Sequence, residues 1–387
     1  MRLQSLAPVA LLAVWVPTVV AQRKTGNPLD HLPPNIEILT YFGERADISP
    51  DNQRVAFMAK SFGDAMVIDL KTRIIRCLTC NVPGAAFLRV MHLVTGDYLL
   101  IGPERFQDVR ISRSRDNELW FLSKQPGSKP IRLNQKMSEG AAVSKRSLKI
   151  GFAETSAQFP DMAPGSSRLV VAELDLSPAG PRLINRRVVF ESKDRSCVIE
   201  AQDFYDNDRK MIFTCYEPND AASVMGIDLE TGEVRNFSQA PGTYNEAEGI
   251  FPDGQYTLVE SDRQAHQQGR KGGFREIDLW KLKLDGTGKD FVRLTYFNDY
   301  EGYKASNGVV STDGRFMAFQ LARTADEAGV GYGILLYWFR KLLSRPAREQ
   351  AAGPRAARPA TPWHLRPASR PPGPAAASAA GTASDRR

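Results

Sequence analysis

One pattern recurs along this chain and limits what it can fold into. "ADISPDNQRVAFMAK" (residues 46–60), "EGIFPDGQYTLVESD" (248–262) and "NGVVSTDGRFMAFQLA" (307–322) each read as strand, tight turn, strand. Six turn positions, Asn52, Gly96, Arg146, Asn207, Gly254 and Gly314, follow at spacings of 44, 50, 61, 47 and 60 residues. A loose period near 50 marks a repeat architecture, in which each unit is one supersecondary element stacked on the next.

The units share an internal order. After the turn comes a strand dominated by apolar and β-branched residues: "RVAFMAK", "YLLIGPE", "LKIGFAE", "KMIFTCY", "YTLVESD", "FMAFQLA". A variable loop leads to a second such strand: "AMVIDL", "ELWFLS", "RLVVAELD", "SVMGIDL", "DLWKLKL", "GILLYWF". The last strand of a unit tends to end in an apolar residue followed by a small polar one, as at Leu78-Thr79, Leu133-Asn134, Phe237-Ser238 and Leu294-Thr295. The third unit is the weakest, with "NRRVVFES" in that place. The sixth unit has no last strand after it, whereas "IEILTYFG" (36–43) is such a strand with nothing before it. An N-terminal strand that completes the last unit would close a ring and leave no open sheet edge. The expectation is an all-β, six-bladed β-propeller of four-stranded blades over residues 36–340.

The stretches "ISPDNQRVAFMAK…IDLKT…RCLT", "FPDGQYTLVESD…DLWKLKLDGTGKDFVRLT" and "STDGRFMAFQ" resemble the TolB-type, WD-like propeller repeat, with its S-P-D-G turn and R-L-T ending. The likeness is good in the first, fifth and sixth blades, fair in the fourth and poor in the second and third. The lead of residues 22–35 has no room for the α/β domain that precedes the blades in TolB. The resemblance specifies blades rather than function, because similar blades serve binding proteins, peptidase propellers and pectin-oligosaccharide lyases. It implies a protein partner in the cell envelope or outside the cell.

Residues 1–21 carry Arg2, the apolar run "SLAPVALLAVWVPTVV" and small residues up to Ala21, the features of a cleaved export signal. No other stretch is long and apolar enough to span a bilayer. The formal charge of +7 is concentrated at the ends: residues 345–387 hold eight Arg and two acidic residues, and residues 22–344 are neutral. A neutral body gives no electrostatic case for nucleic acid. From Arg345 onward the chain is rich in Ala, Pro and Arg and lacks Ile, Val, Phe and Tyr, so residues 341–387 are expected to be a disordered tail. A basic arm and a frameshifted or misassigned end are its two readings.

Four cysteines suit an oxidising compartment and allow three pairings. The local pairs Cys77–Cys80 and Cys197–Cys215 are favoured over zinc, because "RCLTCN" has no second ligand pair. No metal or cofactor is expected. A redox role for the C-x-x-C would want its first cysteine at a helix start, whereas Cys77 ends a strand pattern.

In a propeller the innermost strands line a channel. Those strands hold the candidate binding residues Arg89, His92, Asp203, Asn245, Glu246, Glu248, Lys304 and Asn307. Glu246 and Glu248 lie two apart, so on a strand they share a face, and Lys304 on the next blade could neutralise them. Asp51, Asp253 and Asp313 read as turn formers instead of catalysts. No G-x-S-x-G elbow is present, and the four histidines do not converge. The sequence therefore points to a monomeric, exported, non-catalytic binding or scaffolding module for a protein or peptide. A propeller enzyme on oligosaccharides and a small-ligand or peptide receptor using the channel are the alternatives. The basic, Gly-rich loop "RQAHQQGRKGGFREI" (263–277) is a candidate lid or partner contact.

Overall fold

The computed structural model describes residues 22–326 and 330–339. The expected export signal and C-terminal tail lie outside the described residues. Twenty-four described strands form six antiparallel sheets of four strands each. The protein is a six-bladed β-propeller. Its innermost strands are Glu44–Ile48, Arg89–His92, Ala141–Val143, Val198–Tyr205, Asn245–Ile250 and Tyr303–Val310, in blades 1 to 6. The outermost strand of blade 6 is Ile36–Ile38, antiparallel to Ile334–Trp338 with Ile36 opposite Tyr337 and Ile38 opposite Leu335.

The repeated turn works through its side chains. In blade 1 the Arg54 N–H donates to Ser49 Oγ at 2.9 Å and the Gln53 N–H to Asp51 Oδ1 at 3.1 Å. Asn52 takes the left-handed conformation, φ 57°. Blade 6 repeats the device with Ser311, Asp313 and Gly314 (φ 66°). Asp253 likewise accepts from the Gln255 N–H. All three aspartates build turns.

The small polar residue after the fourth strand also has a definite task in blades 1, 4 and 5, whereas Asn134 of blade 2 lies within its fourth strand, Ile131–Lys136, and is exposed. Thr79 Oγ1 accepts the Ala65 N–H at 3.0 Å and donates to Asp64, while Thr295 Oγ1 accepts the Leu279 N–H at 2.9 Å and donates to Asp278. Ser238 accepts the Val224 N–H in the same way. Each hydroxyl satisfies an N–H near the start of the third strand, beyond the point where the fourth strand's ladder supplies partners. In the third blade the outer strand runs Arg182–Ser192 and carries two register shifts, so the motif is lost there.

Apolar side chains fill the seams between neighbouring blades. Phe57 and Ile48 of blade 1 meet Phe316 and Ala318 of blade 6, and Leu100 of blade 2 meets Met58 of blade 1. Phe213 of blade 4 packs with Leu169 of blade 3. The indole of Trp120 belongs to such packing, between blades 1 and 2, where it meets Phe87 edge-on, whereas Trp280 is buried against Phe291 within blade 5.

Both local disulfides form, Cys77–Cys80 on the rim of blade 1 and Cys197–Cys215 between the two inner strands of blade 4. No helix among the described residues is long and apolar enough to cross a membrane.

Candidate functional site

Four of the six inner strands carry a register shift at a similar level of the channel. The shifts fall between Glu44 and Asp47, Ala201 and Asp203, Ala247 and Gly249, and Ser306 and Val309. A bulge inserts an extra residue and re-aims its side chain. Arg45, Gln202, Glu248 and Asn307 occupy these insertions, and all four line the channel. Arg45 and Asn307 have positive φ, 53° and 47°. Strained backbone at non-glycine residues of this kind clusters where side chains must be aimed.

At the mouth opposite the repeated turns lies a cavity of about 360 Å3. Arg45, Arg89 and Arg113 line one side, and Glu246 and Glu260 the other. Below it, Arg45, Arg89 and Asn307 border a narrower section that holds Lys145, Asp203 and Glu248. To one side, residues Arg113, Glu139, Tyr216 and Glu217 are shared with a cleft of about 730 Å3 between blades 3 and 4. Ala157, Val198, Ile199 and Pro218 give that cleft apolar walls.

The electrostatics divide the mouth in two. Arg113 donates to both oxygens of Glu139, through Nη2 at 2.7 Å and through Nε. Burial alone would raise the Glu139 pKa, but Arg113 and Arg45 outweigh it and hold the carboxylate ionised, near 2. Arg89 pairs with Glu200 at 3.2 Å. On the other wall, the carboxylate oxygens of Glu246, Glu248 and Glu260 can lie within 4.8 Å of one another, all buried. Burial, then Glu260 and Glu200, push Glu246 up to about 8. Burial, Glu260 and Glu246 push Glu248 well above the carboxylate range. The Tyr216 hydroxyl lies 2.8 Å from Glu200 Oε2 and 2.6 Å from Glu246 Oε1, and Tyr244 donates to the other Glu246 oxygen. One phenol proton cannot serve two carboxylates, so at neutral pH one of the two acids must supply a proton of its own.

The sequence candidates distribute as follows. Arg89, Glu246, Lys304 and Asn307 line the mouth cavity, while Glu248 and Asp203 line the section below. Asp203 accepts the Ile250 and Phe204 N–H groups, and burial raises it to about 6. Lys304, 1% exposed, donates to the Phe274 carbonyl at 2.9 Å instead of ion-pairing with the glutamates. Burial lowers its pKa, so it carries its charge less readily than a surface lysine. His92 is deeper, its Nδ1 2.8 Å from Asp47 and its ring against Tyr98. Asn245 is enclosed, bonded to Ser261 and Thr243.

Glu260, Arg113, Glu139, Glu200, Tyr216 and Tyr244 complete the site without having been candidates. A lone charge in the apolar strand "YTLVESD" is the signal for Glu260. The loop residues Arg113 and Glu139 leave none. The 263–277 loop contributes Phe274 to the mouth and is anchored by Asp262, which accepts from the N–H groups of Tyr244 and Gly273 and contacts His266. Polar atoms of this lining retain hydrogen-bonding capacity: Arg45 Nε and Nη1, Arg89 Nε, Glu248 Oε1, Ser306 Oγ and Asn307 Oδ1 have no hydrogen-bond partner among the described residues.

Fold and site together define a propeller with a bipolar channel mouth. Solved structures similar to the chain include a TolB protein from Agrobacterium tumefaciens, described as putative (13% identity, 67% of this chain and 77% of that one, TM-score 0.47). Another is TolB from Acinetobacter baumannii (16%, 73% and 64%, TM-score 0.42). A third is regucalcin, a calcium-binding protein from A. tumefaciens (10%, 78% and 92%, TM-score 0.49). At these identities the likeness concerns the fold alone. No family model and no curated protein matches the sequence.

Proposed function

We propose that this protein is an exported binding module that takes a charged segment of a partner polypeptide into the channel mouth and lays the adjoining apolar residues in the cleft between blades 3 and 4. The observation that carries this reading is the continuity of the two cavities through Arg113, Glu139, Tyr216 and Glu217. A polypeptide can present opposite charges and an apolar stretch on one extended chain. The unpartnered guanidinium and amide atoms would take its polar groups. Export is supported by two disulfides, which persist in oxidising compartments.

The test is capture of partners from envelope and culture extract by immobilised protein, read by mass spectrometry. A Glu246→Ala/Glu248→Ala/Lys304→Ala variant and a Ser156→Trp variant, which crowds the cleft, run beside the wild type. One partner held by the wild type and lost by both variants supports the reading. A partner held equally by all three would not be using this site.

A second reading, chemistry on an oligosaccharide, draws on one observation. Glu246 titrates near 8 and Glu139 near 2 in the same cavity, an acid and a base set apart by their surroundings. Turnover of uronate oligosaccharides that disappears in Glu246→Gln would favour it over binding.

A further inference from the structure

The two disulfides sit in opposite surroundings. Cys197–Cys215 belongs to the packing between blades 3 and 4, and Cys215 is 6% exposed. Cys77–Cys80 is exposed at both residues. It ends the strand Ile75–Cys77, the outermost of blade 1, which among the described residues pairs only with Ala65–Asp69. As a staple it contributes less than Cys197–Cys215, because its sequence separation is only 3 and stabilisation grows with the length of the closed loop.

Three further features surround it. Ile74 and Ile75, separated from it by the exposed Arg76, are 60% and 39% exposed, apolar surface at the start of this edge strand. Such an edge can accept an extended polypeptide as an added strand. The Cys80 N–H donates to Cys77 Sγ at 3.0 Å, a bond that strengthens if that sulfur becomes a thiolate. A carboxylate oxygen of Asp64 comes within 4.8 Å of both sulfurs, and Asp64 accepts from the Thr79 hydroxyl.

We infer that Cys77–Cys80 is an exchangeable disulfide that oxidises a dithiol on an extended polypeptide docked along the edge of blade 1. A substrate thiolate attacks Cys80 Sγ, the Cys77–Cys80 bond breaks, and Cys77 leaves as the thiolate held by the Cys80 N–H. The second substrate thiolate then attacks the substrate sulfur of the mixed disulfide and releases Cys80. Two electrons pass from substrate to protein, the substrate gains a disulfide, and the departing thiolates are protonated from water. Return to the oxidised state takes two electrons to a second, more oxidising disulfide. This inference is independent of the channel.

The test mixes the oxidised full chain with an excess of a reduced synthetic peptide bearing two cysteines flanked by apolar residues. The expected result is one equivalent of peptide oxidised per protein, at least about tenfold faster than by oxidised glutathione at equal concentration. Thiol mapping then finds Cys77 and Cys80 reduced and Cys197–Cys215 intact. Ile74→Asp/Ile75→Asp is expected to slow the peptide reaction about tenfold while leaving the reaction with reduced glutathione unchanged. The inference is overturned if Cys77–Cys80 stays oxidised, if its rate does not exceed that of oxidised glutathione, or if Cys77→Ser/Cys80→Ser protein oxidises the peptide equally well.

Discussion

Glu246 shows how far a single residue can be moved from its ordinary behaviour by its neighbours. It is buried among Glu248, Glu260 and Glu200, with the phenols of Tyr216 and Tyr244 on its oxygens, and titrates near 8 against an ordinary 4.5. The folded state therefore holds a proton that the unfolded chain releases at lower pH. Its contribution to stability is fully present below pH 4.5 and is lost as pH rises through 8. Asp203 and Asp278, both raised to about 6 mainly by burial, act with the same sign. Stability measured by urea unfolding should fall between pH 5 and pH 9. Glu246→Gln, which keeps a neutral amide in place of the acid, should flatten that fall and be more stable than wild type at pH 9. An unchanged slope in the variant would mean that Glu246 is not the residue holding the proton. The pairing of Glu246 with Glu248 was legible from their spacing. The role of Glu260 was not, because its strand reads as core, and a buried charge in such a strand is explained only by partners contributed from other segments. Lys304 was legible as a channel residue but not as a partner of Phe274, since that carbonyl arrives from a long loop.

At the scale of the strand, the hydroxyls after the fourth strands account for part of the repeat that looks incidental in the sequence. Thr295 joins the Leu279 N–H to the Asp278 carboxylate, with all three residues buried. Thr295→Val keeps the shape and leaves the buried Leu279 N–H unsatisfied, while Asp278 keeps its bonds from Arg293, Phe297 and Asn298, so a loss of about 1–3 kcal/mol is expected from urea unfolding. A loss below the error of that measurement would show that water replaces the hydroxyl. The disulfides give a second comparison between elements. Loop-closure arguments assign about 3 kcal/mol to Cys197–Cys215 and about 2 kcal/mol to Cys77–Cys80. Paired alanine variants should preserve that order, with the blade 4 pair costing more because its removal also loosens packing against Phe213 and Leu169. Strand identities were legible wherever turn chemistry and apolar runs agreed. They were weakest in blade 3, where the outer strand Arg182–Ser192 is mostly exposed and bulged, so no buried face imposes an alternation.

For the whole molecule, the question is what keeps six similar sheets in register. Every blade is held by apolar seams to its neighbours, and the seam between blades 6 and 1 joins Phe316, Ile334 and Leu336 to Ile48, Val55 and Phe57. Ile36–Ile38 joins blade 6 from the far end of the sequence, pairing through Glu37 with Leu336, and Ile36 and Ile38 pack into the seam with blade 5 beside Phe251 and Leu279. Leu39 packs into the seam between blades 6 and 1, and the Leu39 N–H donates to the Ile334 carbonyl at 2.8 Å. Removing residues 22–40 would uncover the edge of Ile334–Trp338 and withdraw Ile36, Ile38 and Leu39 from apolar surroundings. At about 1.5–3 kcal/mol for each fully buried side chain, with two of the three only partly buried, a loss on the order of 3–6 kcal/mol is expected. The bare edge would also be a template for another copy. The truncated protein should therefore unfold at lower urea and associate as its concentration rises, measured by light scattering. A synthetic peptide spanning residues 33–43, added in trans, should restore both the midpoint and the light scattering of the intact protein if strand pairing is what was lost. Failure of the peptide together with an unchanged midpoint would place the stabilisation in the inter-blade seams alone, and the N-terminal strand would then be an ornament on a ring that the apolar contacts already hold.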